Sequence, residues 1–210
     1  MVMSNRTPKP PGQASIVRVL GEGVHSDLRA AYRELVDRAA EACARRAAVD
    51  PSFRAAILVS TQTISGIAHV SITDNGETFE ADAFRALYQV VQTGRLGAIK
   101  RALATQEPRD VVGTFGASLM AAFIIADRIT ITCRAHDAAA AEGLKFTCDS
   151  RSYDLGPTTV ARAGTTVQLR VRPDRQRLGT LETIREALAK HAAGVPYPIR
   201  IGADPTPINA

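Results

Sequence analysis

The chain has 210 residues, of which 45% are hydrophobic and 22% charged, enough apolar material to bury one sizeable core. Its formal net charge of +5 comes from 26 Lys and Arg dispersed among 21 Asp and Glu, without a basic run, a zinc-finger spacing or an aromatic RNA-binding motif, which argues against nucleic acid as a partner. No stretch has the length and apolarity of a signal peptide core or a membrane span, so the expected setting is the cytoplasm with no membrane contact.

Residues 1–14, with Pro8, Pro10, Pro11 and Gly12, read as a flexible tail, and the folded domain is expected over 15–202. From about Ser26 to Ala48, Leu28, Tyr32, Leu35, Ala39, Ala42 and the stem of Arg46 recur at helical spacing, and Asp50-Pro51 ends the run. Glu34, Arg38, Glu41 and Arg45 form a row along another side of this helix. Two β-like stretches follow, 55–60 and 66–73, read as a hairpin that runs into Asp74-Asn75-Gly76. A short helix is expected over 82–91 and a charged, glycine-containing lid over 93–112. Gly113 to Ala126 reads as an apolar helix, and 128–134, 143–148 and 164–171 as strands. A closing helix over 178–193 and a last strand near 198–201 complete the pattern. This order predicts an α+β fold, a two-layer sandwich with helices on one face of a mixed, mostly antiparallel sheet.

The three cysteines, Cys43, Cys133 and Cys148, are too few and scattered for a disulfide framework and are expected as reduced core thiols. His25, His69, His136 and His191 show no metal-ligand spacing, and no metal site is assigned.

Four stretches carry a family resemblance. R-E-L-V-D-R-A-A-E-A at 33–42 resembles the helix motif R-E-L-x-x-N-A-x-D-A of the heat-shock protein 90 chaperones, and I-T-D-N-G-E-T-F at 72–79 resembles their I-x-D-N-G-x-G-M. G-T-F-G-A-S-L-M-A-A-F-I-I-A-D-R-I-T-I at 113–131 is similar to G-Q-F-G-V-G-F-Y-S-A-F-x-V-A-D-R-V-x-V, and A-G-T-T-V-Q-L at 163–169 to a later G-T-x-x-x-L strand. All four occur in the family's order, from about Leu20 to Ile201. The resemblance therefore implies the N-terminal nucleotide-binding domain of a divergent, bacterial-type member, with the Bergerat fold of GHKL ATPases. Histidine kinases and mismatch-repair proteins share that fold, but the long match over 113–131 points away from them.

By this resemblance the ligand is ATP or ADP. Asp74 accepts the exocyclic amine of adenine, a role suited to a carboxylate at the end of a buried strand. Gly76 lets the backbone pass close to the base, and Phe79 and Thr165 complete the pocket. Gly113, Phe115, Gly116, Ser118 and Leu119 match the loop and helix start that cradle phosphates. Ser118 stands where the family has a glycine, and so does Thr78. Glu34 matches the general base that activates the attacking water. Arg38 stands where the family's asparagine helps hold Mg²⁺. Arginine has five donors and no acceptor, so that metal geometry cannot form as it stands. Three outcomes remain open: Arg38 binds phosphate oxygens in the metal's stead, it pairs with Glu34, or the row is a solvated ion-pair ladder. The first two predict weak hydrolysis.

The resemblance thus implies a chaperone's ATP- or ADP-binding domain with altered hydrolysis; a nucleotide sensor that binds without hydrolysing is the alternative, and a scaffold without nucleotide the third reading. It further implies that 203–210 begin a linker to a middle domain supplying an arginine toward the γ-phosphate. Client proteins and a homodimeric parent protein are the partners that follow.

Overall fold

A computed structural model of the chain describes residues 27–78, 121–149 and 152–209. The expected helix at 82–91, the lid at 93–112, the tail at 1–14, Phe79, and the phosphate-loop residues Gly113, Phe115, Gly116, Ser118 and Leu119 lie outside these residues.

The first helix, α1, runs Ala30–Val49 and buries Tyr32, Leu35, Val36, Ala39, Ala42 and Cys43. These positions recur every three or four residues, which places them on one stripe facing the sheet. The buried Tyr32 hydroxyl is satisfied by donating to the Leu178 carbonyl oxygen at 2.6 Å, and burial pushes its pKa upward. At the other end the Arg46 guanidinium lies 4.9 Å over the Phe53 ring, so its stem and head both pack.

Strands β1 (Ile57–Ile64) and β2 (Ile67–Asp74) form the expected hairpin, but β1 begins two residues later and runs four residues further than the sequence pattern suggested. The turn is only Ser65-Gly66, both at positive φ, which is the two-residue geometry that matches strand twist. The polar run Thr61-Gln62-Thr63 is therefore strand; its side chains read as a connection because much of that half of β1 is exposed.

Residues 121–125 are helical and pass directly into β3 (Ala126–Arg134), with a register irregularity between Ala126 and Arg128 that accounts for the strand's earlier start. After it come β4 (Gly143–Asp149), β5 (Tyr153–Thr158) and β6 (Gly164–Val171). The sequence pattern gave no sign of β5, whose Y-D-L-G-P-T composition is poor for a strand; it survives as an edge strand paired only with β4. The closing helix is shorter than expected: a 3₁₀ segment at Pro173–Gly179, then α2 (Leu181–Leu188), then a 3₁₀ turn at Ala192–Gly194. Thr180 interrupts the run by capping α2, its hydroxyl accepting from the Thr183 N–H at 3.2 Å.

Strand β7 (Ile199–Ile201) ends the sheet, and residues 203–209 turn back along it. Asn209 fixes that return: its carboxamide accepts from the Ile199 N–H and donates to the carbonyls of Val195 and Tyr197.

The described sheet has seven strands in the order β5-β4-β3-β6-β2-β1-β7. All neighbours are antiparallel except β1 and β7, so the sheet is mixed and mostly antiparallel. One face joins the helices in a single core through Ile57, Ile72, Val70, Ile129, Ile131, Phe146, Val167 and Leu169. The other face carries polar side chains such as the hydrogen-bonded pairs Thr73–Thr166 and Thr130–Thr147. The expected α+β architecture with helices on one face of a mixed sheet is observed. No helix among the described residues is long and apolar enough to cross a membrane. Cys43, Cys133 and Cys148 are buried thiols outside any disulfide, as expected for core cysteines.

Candidate functional site

The site is built where β2 ends. Asp74 pairs across strands with Thr165, and Thr165 with Cys133, so these three occupy one row over β2, β6 and β3 on the core-facing side. Cross-strand partners share a face, which brings a carboxylate, a hydroxyl and a thiol together from residues far apart in sequence. Asp74 is 7% exposed and Thr165 4%. They are the buried polar residues among those described.

Asp74 Oδ1 accepts the Gly76 N–H at 2.9 Å. Burial pushes its carboxyl up to about 7, against the backbone donors of Gly76 and Thr165 and the positive charge of Arg45, all of which favour the carboxylate. The Thr165 hydroxyl is buried and has no hydrogen-bond partner among the described residues. An orphaned hydroxyl beside a desolvated carboxyl is a costly arrangement unless a ligand completes it.

The backbone around Asp74 is held by close approaches. A Cβ on Gly76 would lie 2.3 Å from the Ala42 carbonyl carbon and 2.5 Å from the Cys43 nitrogen, so α1 itself requires glycine there. Gly164, at φ +120°, would put a Cβ 2.0 Å from the Asp74 carbonyl oxygen. The Glu77 N–H donates to the Ala42 carbonyl at 3.0 Å, pinning the loop to the helix. Asn75 completes the frame: its amide oxygen accepts from the Ala56 N–H at 2.8 Å and its amide nitrogen donates to the Arg54 carbonyl at 2.8 Å. Asn75 and Gly164 were not singled out by sequence reasoning, although Asn between a strand-end Asp and a Gly is a recognisable loop-forming signal.

The charged row on α1 divides. Arg38 pairs with Glu41 at 2.5 Å, while Arg45 leaves the row and bonds Glu77 at 3.2 Å, linking α1 to the loop after Asp74. The Asp37 Oδ1 carboxylate oxygen accepts from His191 Nε2 at 2.7 Å. The Arg38 side chain is 18% exposed, and its Nε is buried without a partner. Glu41 has its pKa raised first by burial and also by the charges of Asp37 and Glu34, against the attraction of Arg38 and Arg45. Glu34 lies one turn before Arg38 on the same helix, half-buried. With about 1.5 Å of rise per residue, Glu34 sits roughly 12 Å along the helix axis from Ala42, where the Asp74 loop docks.

A cavity of about 500 Å³ opens at the Cys133 end of the buried row, bordered by Glu77, Thr78, Arg134, His136, Glu142 and Leu144. Arg134 shapes its rim by donating to the carbonyls of Ala138 and Ala161.

Of the residues the sequence singled out, the structure brings Asp74, Gly76 and Thr165 together and sets Glu34 and Arg38 on the adjoining helix. At the position where the resemblance puts a metal ligand, Arg38 offers donors only. Among the described residues no group of three or more His, Cys, Asp and Glu comes together to hold a metal ion. Arg38, a donor-only side chain, does not fit the Mg²⁺-ligand role that the resemblance puts at its position.

No protein-family model matches the chain. It is similar to the chaperone protein HtpG of several bacteria. Over 202 residues it is 29% identical to that of Mesorhizobium japonicum, covering 89% of this chain and 31% of the relative. It is 26% identical to that of Bordetella parapertussis over 204 residues, 91% and 32% respectively. For Roseobacter denitrificans the figures are 24% over 199 residues, 90% and 32%. The chain thus spans about a third of the length of the curated relatives it matches, and the similarity supports an HtpG-like N-terminal domain.

Proposed function

We propose that this chain is an ATP- or ADP-binding domain of a heat-shock protein 90-like chaperone, with weak or altered hydrolysis. The observation that carries the reading is the buried pair at the end of β2: an Asp74 carboxyl with its pKa near 7 beside a Thr165 hydroxyl that lacks a partner among the described residues. An exocyclic amine on a flat base would donate to Asp74, and a ring nitrogen would accept from Thr165. Nothing cationic is needed at that end; the ligand meets one acceptor and one donor in an otherwise apolar row.

From there α1 leads past Arg45, Arg38 and Glu34, a path on which an extended nucleoside polyphosphate would lie with its phosphates toward the guanidinium of Arg38. In this reading Glu34 would act as the general base for water attack, and Gly113, Phe115, Gly116, Ser118 and Leu119 would serve the phosphates, as the resemblance implies. Phe79 would cover the base. With Arg38 paired to Glu41 rather than a metal between them, transition-state charge is poorly compensated and turnover is expected to be slow. The second reading, a sensor that binds without hydrolysing, is favoured by that same ion pair. Client proteins and a homodimer would involve regions of the parent protein beyond this chain, in the cytoplasm.

Calorimetric titration of ATP, ADP and adenosine tests the proposal, with Asp74→Asn as control. Binding that Asp74→Asn abolishes supports it; heatless titrations with all three ligands sink it and leave the scaffold reading. Phosphate release under the same conditions separates the ATPase from the sensor.

A further inference from the structure

The metal position poses a question that the pocket for the base does not. A polyphosphate in water carries several negative charges, and a site must answer them with a metal ion, with cationic side chains or with backbone donors. On α1 the candidate answer is already in place and is not a metal. Arg38 brings a charge that cannot be titrated away and five donors in a fixed fork. Its ion-pair partner among the described residues is Glu41, and its Nε is buried and unbonded. Among the described residues, its fork is engaged through one nitrogen, the one that meets Glu41. It sits one turn before Ala42, roughly 6 Å along the helix axis from where the loop after Asp74 is pinned.

A divalent cation placed beside this guanidinium would meet like charge at short range. Glu41, the carboxylate that could offset it, is already held at 2.5 Å by Arg38. Glu41 is also uneasy as an anion: burial and the nearby charges of Asp37 and Glu34 raise its pKa, and the charges of Arg38 and, after it, Arg45 compensate it.

We propose that this domain binds the phosphates of its nucleotide without magnesium, through the Arg38 guanidinium, and that Glu41 occupies that guanidinium until the phosphates displace it. The inference rests on the nucleotide-binding reading above. Phosphate and Glu41 compete for one fork, so the empty site is neutralised internally and the liganded site exchanges one anion for another.

Adenosine and ADP titrated calorimetrically into the whole chain, once in EDTA and once in excess magnesium, test it. In EDTA, ADP is expected to bind about ten- to a hundredfold more tightly than adenosine, the strength of one or two charge-assisted bonds, and magnesium to change this by less than about threefold. Arg38→Asn should bring ADP down to the level of adenosine, Arg38→Lys should fall between, and Glu41→Gln should tighten ADP by freeing the fork. An ADP affinity that collapses in EDTA and returns with magnesium overturns the proposal, as does ADP binding no better than adenosine in EDTA. In both cases adenosine binding that is lost in Asp74→Asn would leave the base pocket standing. Weaker ADP binding in Glu41→Gln overturns the competition. Failure of adenosine and ADP alike in both media removes the nucleotide reading and this inference with it.

Discussion

The two ends of the site are held by different kinds of force. At the base end, Asp74 is framed by backbone: Gly76 against α1, Gly164 against the Asp74 carbonyl, Asn75 bonded to two main-chain groups, and a hydrogen-bonded strand on its flank. At the helix end, Arg38 is held by an ion pair to Glu41 and Arg45 by one to Glu77, all between partly exposed side chains. Backbone packing tolerates almost no substitution without moving whole elements, whereas a surface row can change its residues and keep the helix. A chain can therefore keep a recognisable base pocket while its phosphate and metal chemistry is rebuilt.

The strongest way to break that contrast is at the glycines. Gly164→Ala adds a Cβ at an unfavourable positive φ and against the Asp74 carbonyl oxygen, and is expected to cost about 4 kcal/mol or more, combining overpacking with backbone strain. Thermal unfolding would show it as a melting point lowered by about 8–16 °C; an unchanged melt would mean the approach at Asp74 is not tight.

Next in size is Asp74→Asn. In the folded state the carboxyl's pKa is raised from the ordinary 3.8 to about 7, so between these values the folded form holds a proton that the unfolded form has released. Stability from this group is present below the unfolded pKa and is lost as pH rises through the window from about 4 to 7. Removing the carboxylate should therefore stabilise the unliganded domain at pH 8 by on the order of 4 kcal/mol while abolishing nucleotide binding, with little stability change at pH 4. Melts at both pH values check the sign. The same titration implies that adenosine binds severalfold more tightly at pH 8 than at pH 6, since its amine favours the charged carboxylate.

Asn75→Ala should cost about 1 kcal/mol through the loss of its bonds to the Ala56 N–H and the Arg54 carbonyl, both at the exposed edge where water can replace them. Urea unfolding would measure it. Arg45→Ala is the smallest effect: its bond to Glu77 joins two side chains about one-third exposed, so less than about 1 kcal/mol of stability is expected. A loss as large as that of Asn75→Ala would show that the two ends of the site are coupled more strongly than their contacts suggest.

How far the sequence disclosed this arrangement follows the same division. Strands with apolar alternation, such as Gly164–Val171, were located to the residue, and the α1 stripe from Tyr32 to Ala42 was found because its period is local. Strand β5 was missed because its pairing with β4, not its own composition, makes it a strand. The second half of β1 was missed because exposed polar residues in a strand resemble a loop. At the site, Asp74 and Thr165 were legible through family resemblance, but no local pattern shows that they lie opposite each other, or that Cys133 continues their row. The partner of Arg38 could not be chosen in advance either. From sequence, Glu34 and Glu41 both stand within reach on one helix face, and the structure places the Arg38 fork on Glu41.

The order of the sheet has a consequence for how binding would be observed. Strands β2, β6 and β3, which carry Asp74, Thr165 and Cys133, are interior, each with a hydrogen-bonded neighbour on both sides. Their amides should be among the slowest in the molecule to exchange with deuterated water, opening only when the domain unfolds as a whole. A ligand seated on them would gain little further protection locally. Its footprint would appear instead as a global slowing across the core, and deuterium uptake would report the energy of binding more readily than its location.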